Sequence, residues 1–142
     1  MEVIMKRILA VLVIALFSIA VCPHFYADDS SYIVQPRYAH LSSVGAGLTS
    51  LGGNLYRITG SAMANSAAYE VSITVSLEKL SGGEWSAVPG YSWNATMTAS
   101  ASATAERKIL LSGTYQVRTH VQVYLNGVLV EETDAYSNAI KI

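Results

Sequence analysis

The clearest pattern in the chain is an alternation of apolar and polar residues that runs from Tyr115 to Leu125. Odd positions are mostly apolar and even positions are polar, and this period of two indicates a half-buried β-strand. Asn126 and Gly127 follow, a dipeptide that favours a type I′ turn because both residues tolerate positive φ. The sequence therefore predicts a β-hairpin over residues 113–130.

A second clean alternation runs from Tyr69 to Glu78, with its apolar residues all on one face. We expect this strand to pair with the first strand of the hairpin, because both have a continuous apolar face that needs a core. The pairing would place polar side chains of both strands on one outward face, which would be flat and without buried charge. Its predicted members are Glu70, Ser72, Thr74, Arg118, His120, Gln122 and Tyr124.

The return strand of the hairpin cannot keep its alternation to the end. Counted back from the Asn-Gly turn, Thr133 faces His120 and Glu131 lies diagonal to it, while Glu132 would point into the core. We therefore expect a β-bulge near Glu131–Glu132 that resets the face.

Further extended segments fill the rest of the chain. Turn residues separate them about every dozen positions, and no helical period follows residue 28, as is typical of an all-β sandwich. Pro36 limits the stretch 32–38 to an edge strand or a strap. The other predicted segments are Leu41–Leu51, Leu55–Ala64, Glu84–Val88, ended by Pro89-Gly90, and Ala95–Ala105.

The motif Leu111-x-Gly113-x-Tyr115-x-Val117 resembles the start of strand F in immunoglobulin-like domains, with its tyrosine corner. The resemblance implies that the Tyr115 ring is buried and that its hydroxyl bonds to backbone a few residues upstream. Val117 stands where immunoglobulins have a cysteine, so the domain would be a disulfide-free version.

Tyr69-x-Val71, followed by Trp85 after a Gly-Gly turn, resembles strands C and C′ of fibronectin type III-like modules. Together these resemblances imply a single immunoglobulin/fibronectin III-like antiparallel β-sandwich of about seven strands over residues 42–142. Strands A, B and E would form one sheet, and C, C′, F and G the other.

Three segments, Ile33–Tyr38, Ser42–Leu48 and Gly113–Arg118, also resemble an uncharacterised family of short secreted proteins from Gram-positive, clostridia-type bacteria. That resemblance implies an extracellular location and no particular activity.

Residues 1–27 have the pattern of a signal peptide. Lys6 and Arg7 precede an apolar run of 14 residues, Ile8 to Val21, which is shorter than the roughly 20 residues of a membrane-spanning helix. Ala27 offers a cleavage point. We therefore expect a secreted protein with an extended strap or linker at 28–41 and no membrane contact beyond the leader.

Cys22, the one cysteine of the chain, opens an alternative. In a lipoprotein leader it would be acylated and would anchor the protein at the cell surface. Under ordinary cleavage it leaves with the leader, so the exported chain would have no disulfide and no thiolate metal site.

Charge and motifs restrict the function classes. Residues 28–142 hold seven basic against nine acidic residues, a net charge of −2, and no basic patch for nucleic acid. His40 and His120 lack metal-ligand spacing and a placed nucleophile, so we predict no catalytic residues, no metal and no cofactor. A His120–Glu131 pair would be part of a solvated sheet face.

Two aromatic residues support a different function. Tyr91 and Trp93 share one face of an extended strand, a geometry that could stack on sugar rings, although Trp93 could equally belong to the core. A hydroxyl ladder on one strand would be too narrow for glycan binding; it consists of Thr96, Thr98, Ser100, Ser102 and Thr104.

The sequence thus favours an exported, non-enzymatic, adhesion-type interaction module that binds a protein partner through a polar sheet face or edge. The alternative is a carbohydrate-binding module that uses Tyr91 and Trp93. A small hydrolase is a third class, and no constellation of residues supports it.

Overall fold

A computed structural model describes residues 37–142. The predicted leader, Cys22 and the stretch 32–36 lie outside these residues. Every regular element from 37 onward is a β-strand, and that part of the chain contains no cysteine and hence no disulfide. The strands are β1 (Leu41–Gly52), β2 (Leu55–Ala64), β3 (Glu70–Ser81), β4 (Glu84–Thr98), β5 (Ser100–Lys108), β6 (Thr114–Leu125), β7 (Val128–Tyr136) and β8 (Ile140–Lys141).

The strands form two antiparallel sheets. One has the order β1-β2-β5, and the other has the order β4-β3-β6-β7, with β8 paired to β6. The predicted partition, with strands one, two and five against three, four, six and seven, is therefore confirmed. The short β8 was not predicted; Ile140 and Lys141 pair with Tyr115 and Thr114.

The core lies between the two sheets and is built by the two best alternations. Val71, Ile73, Val75 and Leu77 of β3 are buried, and the odd positions of β6 from Tyr115 to Val123 are buried too. β3 pairs with β6 in an unbroken register from Glu70 opposite Tyr124 to Lys79 opposite Tyr115. The predicted pairing of these strands is confirmed. Its register is strongly specified, because a slip by one residue would expose the whole apolar set.

The sheets approach most closely at Gly60 of β2. A Cβ added there would lie 2.5 Å from Thr119 Oγ1 of β6 and in contact with Val75 Cγ2 of β3. Real Cβ atoms do not come this close to a neighbour, so only glycine fits this position.

The predicted hairpin and tyrosine corner are both present. Asn126 and Gly127 have φ of 50° and 78°, as a type I′ turn requires. The Tyr115 side chain is 2% exposed, and its hydroxyl donates to the Leu111 carbonyl at 2.8 Å.

Two predicted strand boundaries are wrong. Pro89-Gly90 does not end a strand: β4 continues through it, and residues 88–91 bulge opposite the single residue Leu77. β4 is an edge strand, where a proline costs no ladder hydrogen bond. The predicted strand 95–105 is broken at Ala99, whose φ of 66° turns the chain from one sheet to the other.

Candidate functional site

The seven residues predicted for the polar sheet face lie together on the outer side of β3 and β6. The register sets Glu70 opposite Tyr124, Ser72 opposite Gln122 and Thr74 opposite His120, with Arg118 one step further along β6 opposite Ser76. Each alternates with a buried neighbour, so the core on the inner side determines which side chains face outward.

The two flanking strands widen this surface, which we call the polar face. On β4, Thr96 and Asn94 lie beside Ser72 and Thr74, and the Ser72 and Thr96 hydroxyls are 2.9 Å apart. On β7, alternate residues beside β6 extend it on the other side: Glu132, Asp134 and Tyr136. The polar face is therefore four strands wide.

A network of charged side chains occupies the β6–β7 half of the polar face. Arg118 donates to both oxygens of Asp134, from Nε at 2.9 Å and from Nη2 at 3.0 Å. His120 Nδ1 lies 2.9 Å from Asp134 Oδ1, and His120 Nε2 lies 3.0 Å from Glu132 Oε1. Both imidazole nitrogens thus face carboxylates, and both donate in the protonated ring.

The network changes the acidity of its members. Desolvation raises the pKa of Asp134, but hydrogen bonds from Arg118 and His120 outweigh it, so the net pKa lies below its ordinary value. The hydrogen bond to Asp134 is the main cause that raises the pKa of Arg118. Asp134 is therefore held as a carboxylate, and the Arg118 fork is fixed in place.

The predicted partner of His120 is wrong, because the count from the turn to Thr133 left out the bulge, which shifts the register by one residue. Tyr124 pairs with Leu129 and Val123 with Glu131, which leaves Val130 as the extra residue. Asp134, and not Thr133, consequently faces His120.

Glu131 has a different role from the one expected. Its carboxylate accepts hydrogen bonds from the backbone N–H groups of Ala39 and His40, at 3.1 and 2.6 Å. It ties the segment before β1 to the edge strand β7, whereas the sequence predicted a diagonal contact with His120.

The expectation of a face without buried charge is wrong at Glu78. This residue lies on the same side of β3 as Ser72 and Thr74, three positions before the strand ends, and is only 7% exposed. It accepts a hydrogen bond of 2.8 Å from Gln116 Nε2. A buried carboxylate needs such a partner.

Tyr91 and Trp93 lie on the inner side of β4, half-buried against the core. Their rings are 6.3 Å apart and nearly perpendicular, at 88°. The Tyr91 hydroxyl donates to the Lys108 carbonyl at 2.8 Å, and the Arg107 guanidinium lies over the Trp93 ring at 5.6 Å. The two rings close the gap between β4 and β5 and do not form the flat platform on which a sugar ring stacks.

The hydroxyl ladder divides between the two sheets. Thr96 and Thr98 belong to β4 and the polar face, whereas Ser100, Ser102 and Thr104 belong to β5 of the other sheet. The second histidine, His40, lies 2.9 Å from the Tyr69 hydroxyl through Nδ1.

The described part of the chain shows neither a metal centre nor a membrane-spanning helix. Residues 37–142 hold no group of three potential metal ligands with suitable geometry, and no helix among them could span a membrane. No protein-family model matches the chain, and a search of curated proteins finds no significant match.

Proposed function

We propose that this chain is an exported, non-enzymatic interaction module that binds a protein partner through the polar face. The observation that carries the proposal is the ordered network of Arg118, His120, Glu132 and Asp134 on an open surface of four strands. Side chains already held in place lose little freedom on binding, which favours affinity.

Residues at the rim of the network suit a protein contact. Tyr136 and Leu129 are 55% and 44% exposed, and Tyr124 is half-exposed beside Leu129. Tyrosine and arginine are enriched where proteins bind each other. A flat surface of this kind is better suited to a transient protein contact than to binding a small molecule, which needs a concave pocket.

The geometry of His120 supports a structural role over acid–base catalysis. Both ring nitrogens lie within hydrogen-bond distance of carboxylates, Glu132 and Asp134. A general base needs a free nitrogen that reaches the substrate.

The finer fold assignment is part of the proposal. The strand partition and the Tyr115 corner support an immunoglobulin/fibronectin III-like domain, a class that often serves adhesion, although fold alone is an analogy for function. We further propose export by the leader at 1–27, with a lipid on Cys22 as the alternative route to the cell surface.

The test uses one substitution on each sheet. Ser72→Arg adds a long cation at the centre of the polar face. Thr59→Arg makes the same change on the outer side of the other sheet, where Thr59 pairs with Thr104. After quantitative capture has identified a surface-protein partner, Ser72→Arg should weaken binding at least about tenfold, and Thr59→Arg should not. Equal binding by both variants, with unchanged unfolding midpoints, would exclude the polar face.

A further inference from the structure

A second candidate site lies away from the polar face, where the link between β5 and β6 crosses the end of the sandwich. It is an apolar pocket of about 320 Å³. Its floor is formed by Leu77 and Ile109, which are buried, and its rim by Leu110 and Leu111, which are 73% and 71% exposed. Two adjacent leucines left in water beside an open apolar pocket point to a missing occupant.

The pocket is preformed. The Tyr91 and Tyr115 rings are two of its walls, and their hydroxyls donate to the carbonyls of Lys108 and Leu111. These two bonds hold both ends of the segment 108–111. Because each hydroxyl is already bonded to backbone, the walls present mainly carbon to an occupant.

Two cations lie close to the aromatic side chains around the pocket. The Lys79 ammonium is over the Tyr115 ring, 5.5 Å from its centroid. Arg107 is over Trp93, whose ring packs edge-on against Tyr91. Within residues 37–142, neither cation has a carboxylate partner, whereas Glu106, the acidic residue nearest in sequence to Arg107, is paired with Arg57.

From this arrangement we infer that the pocket binds a single aliphatic chain with an anionic head, such as a medium-chain carboxylate. The walls and the exposed leucines take the chain, and Lys79 and Arg107 attract the head group. The volume is about twice the ~150 Å³ of an engineered apolar cavity that binds benzene and lies at the small end of the ~300–1,000 Å³ range of ligand pockets. It therefore suits one chain and not a large lipid.

Calorimetric titration of the purified protein with sodium decanoate tests the inference. We expect saturable binding of one decanoate per chain. The double variant Leu110→Ser, Leu111→Ser should lose at least roughly tenfold in decanoate affinity, because the apolar rim is lost. The matched control is Val128→Ser, Leu129→Ser at the opposite end of β6, where Val128 and Leu129 are also exposed; it should bind as the parent protein does.

The head-group contribution is tested with Lys79→Gln. This variant should bind decanoate about two- to fivefold more weakly, as expected for a solvent-screened ion pair, and should bind decanol as the parent does. Equal affinity of the parent for decanoate and decanol would overturn the anionic head group.

Three further results would overturn the pocket itself. They are no decanoate binding, equal loss in the Val128→Ser, Leu129→Ser control, and binding only to vesicles of anionic phospholipid. The last result would instead assign Leu110 and Leu111 to a membrane surface. Unfolding midpoints of all variants separate loss of the site from loss of the fold.

Discussion

Gly60 provides a sharp test of how closely the two sheets pack. In most strands Gly→Ala is favourable by about 0.5–1 kcal/mol, because alanine loses less backbone freedom on folding. At Gly60 the added methyl would lie 2.5 Å from Thr119 Oγ1 and also touch Val75 Cγ2. Neither neighbour is the flexible end of a long side chain, and both are buried. Overpacking of this kind costs about 1–3 kcal/mol, so we expect Gly60→Ala to lose about 1–2 kcal/mol of unfolding free energy.

A matched control separates the clash from the general effect of glycine replacement. At Gly45 of β1 the added methyl would meet only the Ser61 hydroxyl, at 3.1 Å, and Ser61 is exposed and free to rotate. Gly45→Ala should therefore stay within about 0.5 kcal/mol of the parent.

Equilibrium unfolding in urea measures both variants. The midpoint of Gly60→Ala should fall while the slope with urea stays unchanged, since the amount of surface exposed on unfolding is the same. In a Val75→Ala background the contact with Val75 Cγ2 is gone and only the one with Thr119 remains, so the cost of Gly60→Ala should shrink by up to about 1 kcal/mol in a double-mutant cycle. A neutral or stabilising Gly60→Ala would refute the close approach of the two sheets at this point.

Three other predictions concern single contacts. Tyr115→Phe removes the bond to the Leu111 carbonyl and should cost about 1 kcal/mol in urea unfolding; an unchanged midpoint would contradict the corner. Ala99→Gly should stabilise by about 1 kcal/mol, because alanine at φ 66° is strained, and a thermal melt that shows a loss would count against the turn. The pKa of Asp134 is lowered in the folded protein, so its stabilising contribution is complete above the unfolded pKa, about 4, and is lost as the pH falls through the lower folded value. The stability difference between the parent and Asp134→Asn should accordingly be present at neutral pH and shrink in acid, and a constant difference would exclude this linkage.

Local alternation explains which parts of the fold were predictable. The strands from Tyr69 to Glu78 and from Tyr115 to Leu125 have one continuous apolar face each, and that face specifies both their pairing and which side chains point outward. The Asn126-Gly127 turn follows from the positive φ that these two residues accept. The members of the polar face on β3 and β6 were therefore readable from residue order alone.

The irregular positions depend on contacts between distant residues. Val130 is the bulged residue, and Glu131 beside it accepts bonds from backbone 91 and 92 residues away, a contact that no local pattern encodes. That one-residue shift brings Asp134 to His120, so the central network of the polar face arises from it. The break at Ala99 is likewise hidden, because the alternation of small residues continues through it. Its N–H donates to Tyr69, just before β3, and its carbonyl accepts from Ala64, at the end of β2. Period-two patterns determine faces, whereas bulges and corners are determined by the partners that assembly of the two sheets brings within reach.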